Sequence, residues 1–370
     1  MLQMLKGIKA KNHLESIKYF LRYLLQEKRV DAVLVPKRHP NGRSVSHALI
    51  TDPLNTEGSD PLAPVQTVNA ACILKELTKE PTDKKIAVVL RPCEVRAAIE
   101  LIKIKQVSDE NLYMIGYDCP GVYDAKEYMN IIEKEEDREK FTLKYIEAFL
   151  SDKKEEIRES CSYCMYFTAD SADINMAWIG LNSSDLVIGV NTEKGKKLIN
   201  DLETEEISDS SRRKEKIGMI STGRKQIQKD RIDNFLDLIQ PCIRCYNCRE
   251  VCPLCYCKEC LLEPEKMGYS SVRYMNRAIK KKQIKMPDDT VLYHLTKINH
   301  MGYSCVSCGI CEQACPMDIP LGMIYNVFSR KIQALFDYVP GRSRDEELPV
   351  TTFREEELSE VEDIQQPRGK

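Results

Sequence analysis

This sequence has little net charge: 55 Lys and Arg stand against 57 Asp and Glu, for a formal net charge of -2. Such a balance gives no field that would draw nucleic acid or a membrane surface. The basic clusters Arg212-Arg213-Lys214 and Lys280-Lys281-Lys282 are short and isolated and read as solvated faces. No apolar run approaches the roughly 20 residues that a membrane helix needs, so no transmembrane segment is expected. Met1 to Lys11 is broken by lysines and lacks the apolar core of a signal peptide. At 42% hydrophobic and 30% charged, the 370 residues suit two or three globular domains.

Against that even background stand 16 cysteines. Without an export signal they argue for metal ligation in a reducing cytoplasm rather than for disulfides. Half of them fall in two copies of one pattern, C-x2-C-x2-C-x3-C-P. Cys242, Cys245, Cys248 and Cys252-Pro253 make the first; Cys305, Cys308, Cys311 and Cys315-Pro316 make the second. Three thiolates three positions apart reach three corners of a [4Fe-4S] cube from one tight loop, and the cysteine before proline reaches the neighbouring cube. The spacing therefore assigns Cys242, Cys245, Cys248 and Cys315 to one cluster, and Cys305, Cys308, Cys311 and Cys252 to the other. Zinc favours two ligand pairs separated by a longer loop, which fits this run less well.

Upstream, helix and strand signals alternate. His13 to Gln26 carries a helical apolar stripe, and Val30 to Pro36 and Ser46 to Thr51 read as strands. Val65 to Leu77 reads as a helix with Cys72 on its apolar face. Lys85 to Leu90 is a buried strand, Cys93 to Lys103 a helix and Asn111 to Tyr117 the next strand. Strand, helix, strand in this order predicts a parallel α/β unit with ligands at the strand C-terminal ends. Cys93 and Cys119 stand at two such ends, and Cys161 and Cys164 follow as a C-x2-C pair. These four either converge on a third cube or are small buried residues.

Asp124 to Arg158 is helical in pattern, Asp185 to Val190 is a strand and Lys194 to Leu202 a helix. Glu203 to Lys229 is charge-dense and reads as a linker. The segment between the two motifs holds helical patterns at Tyr269 to Lys280 and Pro287 to His300, and Leu321 to Phe336 is an amphipathic helix. The expected organisation is an α/β domain over 1–205, a charged linker over 206–235, a mainly helical two-cluster ferredoxin-like domain over 236–336 and an extended acidic arm over 337–370.

From Cys242 through Cys252-Pro-Leu-Cys255-Tyr-Cys257-x2-Cys260, and from Ser304-Cys305 to Cys315-Pro-Met-Asp-Ile-Pro320, the chain resembles the β subunits of coenzyme F420 hydrogenases and dehydrogenases, formate dehydrogenase type. Pro92-Cys93, Tyr113 to Cys119, Cys161-x2-Cys164, Ala172-Asp173-Ile174 and Asp337 to Gly341 follow the same family's order. The resemblance implies a [4Fe-4S] site at Cys93, Cys119, Cys161 and Cys164. It also implies FAD beside that site and hydride exchange with the deazaflavin F420, or with NAD(P). The flavin turns two-electron hydride transfer into the single-electron steps that clusters accept. Two glycine-bearing segments of the family are replaced here by Pro61 to Thr67 and by Asn175-Met-Ala-Trp178, which removes close backbone approaches to a phosphate. Thr67 and Asn69 remain as side-chain donors for FAD.

The expected function is electron transfer between a flavin-linked hydride carrier and a partner subunit such as formate dehydrogenase, hydrogenase or heterodisulfide reductase. A flavin-less iron–sulfur relay and assembly subunit is the alternative, and a cluster-bearing sensor a third. Cys255, Cys257 and Cys260 complete no ligand set by spacing alone; an added cluster and buried structural thiols both remain open.

Overall fold

Alternation of apolar residues along the central strands decides the architecture, because successive side chains leave a strand on opposite faces. The fold comes from a computed structural model that describes residues 4–8, 12–153, 156–181, 186–202, 205–206, 211–257, 260, 270–283, 289–353 and 355. Its strands are β1 (Met4–Ile8), β2 (Ala32–Arg38), β3 (Val45–Ile50), β4 (Ile86–Leu90), β5 (Leu112–Tyr117), β6 (Ile174–Ala177), β7 (Leu186–Val190) and β8 (Glu205–Glu206). They form one eight-stranded sheet in the order β3-β2-β4-β5-β6-β7-β1-β8. From β2 through β4 and β5 to β6 neighbours are parallel. The flanking strands β3, β7, β1 and β8 join antiparallel. The fold is mixed α/β, with a parallel centre narrower than the whole sheet.

On one face, Val33, Val35, Ala87, Val89, Ile115 and Tyr117 pack under α1 (His13–Gln26). Asn12 caps this helix by accepting the Glu15 N–H, and its stripe from Leu14 to Leu25 is buried. On the other face, Leu34, Ile86, Val88, Leu90, Leu112 and Met114 pack under α2 (Ala70–Leu77) and α3 (Pro92–Lys103). Helix α2 starts later than the expected Val65. Asn69 caps it, and the carbonyls of Pro61, Ala63 and Val65 turn to the Arg91 guanidinium instead of continuing a helix.

The helical stretch after Asp124 divides into α4 (Ala125–Ile132) and α5 (Arg138–Leu150), the second capped by Asp137. Short α6 (Glu159–Ser162) and α7 (Glu193–Leu198) follow. The sequence reading missed β1, β6 and β8. All three are short, and β6 is wholly buried between β5 and β7, where pairing rather than periodicity makes the strand.

The expected linker holds a 17-residue helix, α8 (Ser211–Ile227). Its buried residues are arginines. Arg213 donates to both carboxylate oxygens of Asp118, one at 2.9 Å, and both side chains are almost fully buried. Removing one partner of such a pair strands the other charge, at about 3–5 kcal/mol.

Beyond α8 all described regular elements are helical: α9 (Phe235–Ile239), α10 (Asn247–Glu250), α11 (Ser271–Lys281), α12 (Thr290–Met301), α13 (Ile310–Gln313), α14 (Leu321–Leu335) and a 3-10 turn at Pro349–Thr351. The expected C-terminal arm docks at its start. Tyr338 and the Gly341 N–H both reach the buried Glu100 carboxylate on α3, at 2.6 and 2.8 Å, and Arg344 reaches Asp173 at 3.0 Å. Most of the acidic tail, 356–370, lies outside the described residues. Among the described residues no helix is long and apolar enough to cross a membrane.

Candidate metal centres

The parallel strands deliver two thiols to one edge. Cys93 is the second residue of α3, just past β4, and Cys119 follows β5 by one residue after Asp118. Cys161 sits in α6 and Cys164 two residues beyond its end. All four line one narrow cavity of about 30 Å³, together with Gln66, Arg91, Arg224 and Cys308. Gly121 makes this approach possible. Its φ is +122°, and a Cβ there would stand 2.7 Å from Ile157 Cδ1 and 3.2 Å from Cys161 Cβ.

Buried polar side chains brace this edge. Arg91 Nη1 lies 3.5 Å from Cys119 Sγ while its Nη2 holds the carbonyls of the 61–65 loop. Glu94 accepts from the Arg91 N–H at 2.8 Å, the Ala70 N–H at 3.1 Å and Gln66 Nε2 at 2.9 Å, which locks the starts of α2 and α3 together. Gln66 Nε2 also stands 3.8 Å from Cys93 Sγ. Helix α8 contributes Arg224, which donates to the carbonyls of Cys164 and Pro120 at 3.0 and 2.8 Å. Burial pushes the Cys93 thiol up, with Glu94 adding to it, and pushes Cys119 up against the opposing pull of Arg91. Thiols so placed stay protonated until a metal displaces the proton.

The two motif loops share a backbone. Arg244 and Tyr246 in the first, and Ser307 and Gly309 in the second, are left-handed, at matching positions. Each loop then enters a four-residue helix, α10 or α13, before its Cys-Pro. At Gly309 a Cβ would stand 1.9 Å from Ser160 Oγ, so the second loop lies hard against the sheet-edge cysteines. Arg158 crosses the same boundary, donating to the Cys308 carbonyl at 3.2 Å and to Gln313.

The electrostatic neighbours of Cys242 are Cys248, Cys315 and Cys245, so the Cys-Pro cysteine of the second motif stands with the first. Those of Cys311 include Cys308, Cys305 and Cys248. Lys297 on α12 is buried amid Cys252, Cys255, Cys248 and Cys311. Burial opposes its charge, yet these thiols raise its pKa and keep it an ammonium. Tyr293 OH lies 3.2 Å from Cys248 Sγ.

The donor sets suit clusters held by thiolates. Among the described residues no three His, Cys, Asp or Glu side chains are grouped to hold a single metal ion. The donors expected for FAD fit less well. Thr67 is exposed, whereas Asn69 is fully buried, its Oδ1 spent on the α2 cap and its Nδ2 turned to the Cys308 thiol. The Pro61–Val65 stretch is buried, with the carbonyls of Pro61, Ala63 and Val65 committed to Arg91 and that of Pro64 to the Tyr123 N–H. Cys72 is half-buried, 3.8 Å from the Val251 carbonyl, rather than in the core beneath α2. Sequence reasoning missed Gln66, Arg91, Glu94, Arg158, Arg224 and Lys297. The available signal was polar residues set within or beside apolar and cysteine-bearing runs, as in Leu90-Arg91-Pro92-Cys93-Glu94.

Residues 83–216 match the family described as the C terminus of the coenzyme F420 hydrogenase/dehydrogenase beta subunit. That stretch contains all four sheet-edge cysteines and ends within α8. The F420-dependent formate dehydrogenase subunit beta of Methanocaldococcus jannaschii is 31% identical over 359 residues, covering 86% of this chain and 89% of the relative. The F420-dependent formate dehydrogenase 1 subunit beta of Methanococcus maripaludis is 29% identical over 370 residues, covering 89% and 90%. A chain of the F420-reducing [NiFe] hydrogenase complex from Methanosarcina barkeri is 12% identical with a TM-score of 0.44, over 60% of this chain and 90% of that one, too loose a likeness to argue from. With near one-third identity sustained over most of both chains, this protein belongs to the coenzyme F420 hydrogenase/dehydrogenase β subunit family.

Proposed function

We propose that the chain is an iron–sulfur electron-transfer subunit that links a sheet-edge [4Fe-4S] site to a ferredoxin-type pair in its helical part, and so serves a partner oxidoreductase subunit. Clusters of this kind, when bound, take up and release one electron at a time. Cys93, Cys119, Cys161 and Cys164 hold the first. Cys305, Cys308, Cys311 and Cys252 hold the second, and Cys242, Cys245, Cys248 and Cys315 the third. The observation that carries the reading is Cys308, which lines the same cavity as the four sheet-edge cysteines while belonging to the second motif. Cys248 and Cys311 are likewise neighbours across the pair. The thiols therefore form a continuous series from the strand ends to the far motif.

Side chains of this chain set the electrostatics of that path. Arg91 holds a permanent positive charge beside Cys119, and Lys297 holds another between the two motifs. Both offset the negative charge of ligated thiolates. Formate dehydrogenase and hydrogenase subunits are the partner class, on the strength of the relatives' names and the family's description.

A second reading adds FAD and hydride exchange with F420 or a nicotinamide. The relatives' names, F420-dependent, favour its F420 part; the burial and commitments of Asn69 and the 61–65 loop do not favour its FAD part, and we assign no step to a flavin. Anoxic purification followed by acid extraction separates the readings. The relay reading expects cluster absorbance without flavin. One FAD per chain would replace it with the second reading, and absence of acid-labile sulfide would end both.

A further inference from the structure

Cys255, Cys257 and Cys260 belong to none of the ligand sets above, yet all three line one open cavity of about 450 Å³ against α12. Lys297 lines it too, its Nζ 3.2 Å from Cys255 Sγ and 2.8 Å from the Cys248 carbonyl. A buried ammonium at that distance offsets the charge of a ligated thiolate. His300, on the same lining, offers an imidazole, and imidazole replaces thiolate on iron in some iron–sulfur centres.

We propose that Cys255, Cys257 and Cys260 hold a further iron–sulfur cluster, with His300 available to its fourth iron. The site stands apart from the three clusters of the proposed function and can fail while they remain. Cys255 is beside Cys252, a ligand of the second motif's cluster, so the added site branches from the middle of the series toward solvent.

The test uses the full chain, prepared anoxically and reconstituted with ferrous iron and sulfide. Wild type should carry about four more iron atoms per chain than a Cys257→Ser/Cys260→Ser variant, one cube's worth. The electron paramagnetic signals of the other clusters should be unchanged. Equal iron in the two proteins overturns the proposal, as does zinc lost from the variant with iron unchanged. Alkylation supplies a check on wild type alone. Cys257 is exposed, so iodoacetamide should spare it in the loaded chain and label it after chelation; full labelling of the loaded chain also overturns the site.

Discussion

In the motif loops a thiol is positioned by its own few neighbours in the chain. Arg244 and Tyr246, or Ser307 and Gly309, turn the backbone left-handed between cysteines, and a four-residue helix carries the chain to Cys-Pro. At the sheet edge the local backbone contributes only the left-handed Gly121 beside Cys119. Cys93 and Cys119 arrive on different strands and Cys161 and Cys164 on a later segment, and Arg91, Gln66 and Arg224 hold them from elsewhere. The motif sites are thus built by local backbone, the sheet-edge site by tertiary packing. A motif should lose its cluster only when a thiolate is lost, whereas the sheet edge should also yield to changes outside its ligands.

The largest expected effect is at the motifs. Cys315→Ala should cost about four iron atoms per chain, and the lost signal should be that of the Cys242, Cys245 and Cys248 cluster. Spectroscopy that assigned the loss to the cluster of its own motif would break the crossed assignment and make each motif self-contained. A smaller effect sharpens the other side. Arg224 makes two hydrogen bonds to carbonyls of the sheet-edge loops, and such bonds to a charged group contribute about 1.5–3 kcal/mol each. Arg224→Ala should therefore lower iron at the sheet edge in part, leaving both motif signals intact. Equal loss from all clusters would mean that α8 supports the whole fold instead of that edge.

What the sequence discloses follows the same division. Cysteine spacing is a local quantity, so the two motifs were readable, as was α1, whose Leu14, Ile17, Phe20, Leu21 and Leu24 stripe is buried as periodicity predicts. The central strands were readable because their apolar runs are buried on both faces. Helix α8 was not. Its buried side chains are Arg213 and Arg224, which a polarity reading leaves in water, and their partners Asp118, Pro120 and Cys164 are distant in the chain. Asn69 was legible as a polar residue near the strand ends, but its direction, into the α2 cap and toward Cys308, depends on packing. The meeting of Cys93, Cys119, Cys161 and Cys164 could be posed from topology yet not decided by it.

The proposed relay turns on these four thiols holding a cluster that the second motif approaches through Cys308. Iron and labile sulfide in anoxic Cys119→Ala, set against wild type with paramagnetic spectra of both, put that to the sharpest test. We expect a loss of about four iron atoms per chain, with both motif-cluster signals retained and the signal of the Cys308-bearing cluster altered by the loss of its neighbour. An unchanged iron count, with all spectra superimposable on wild type, would contradict it.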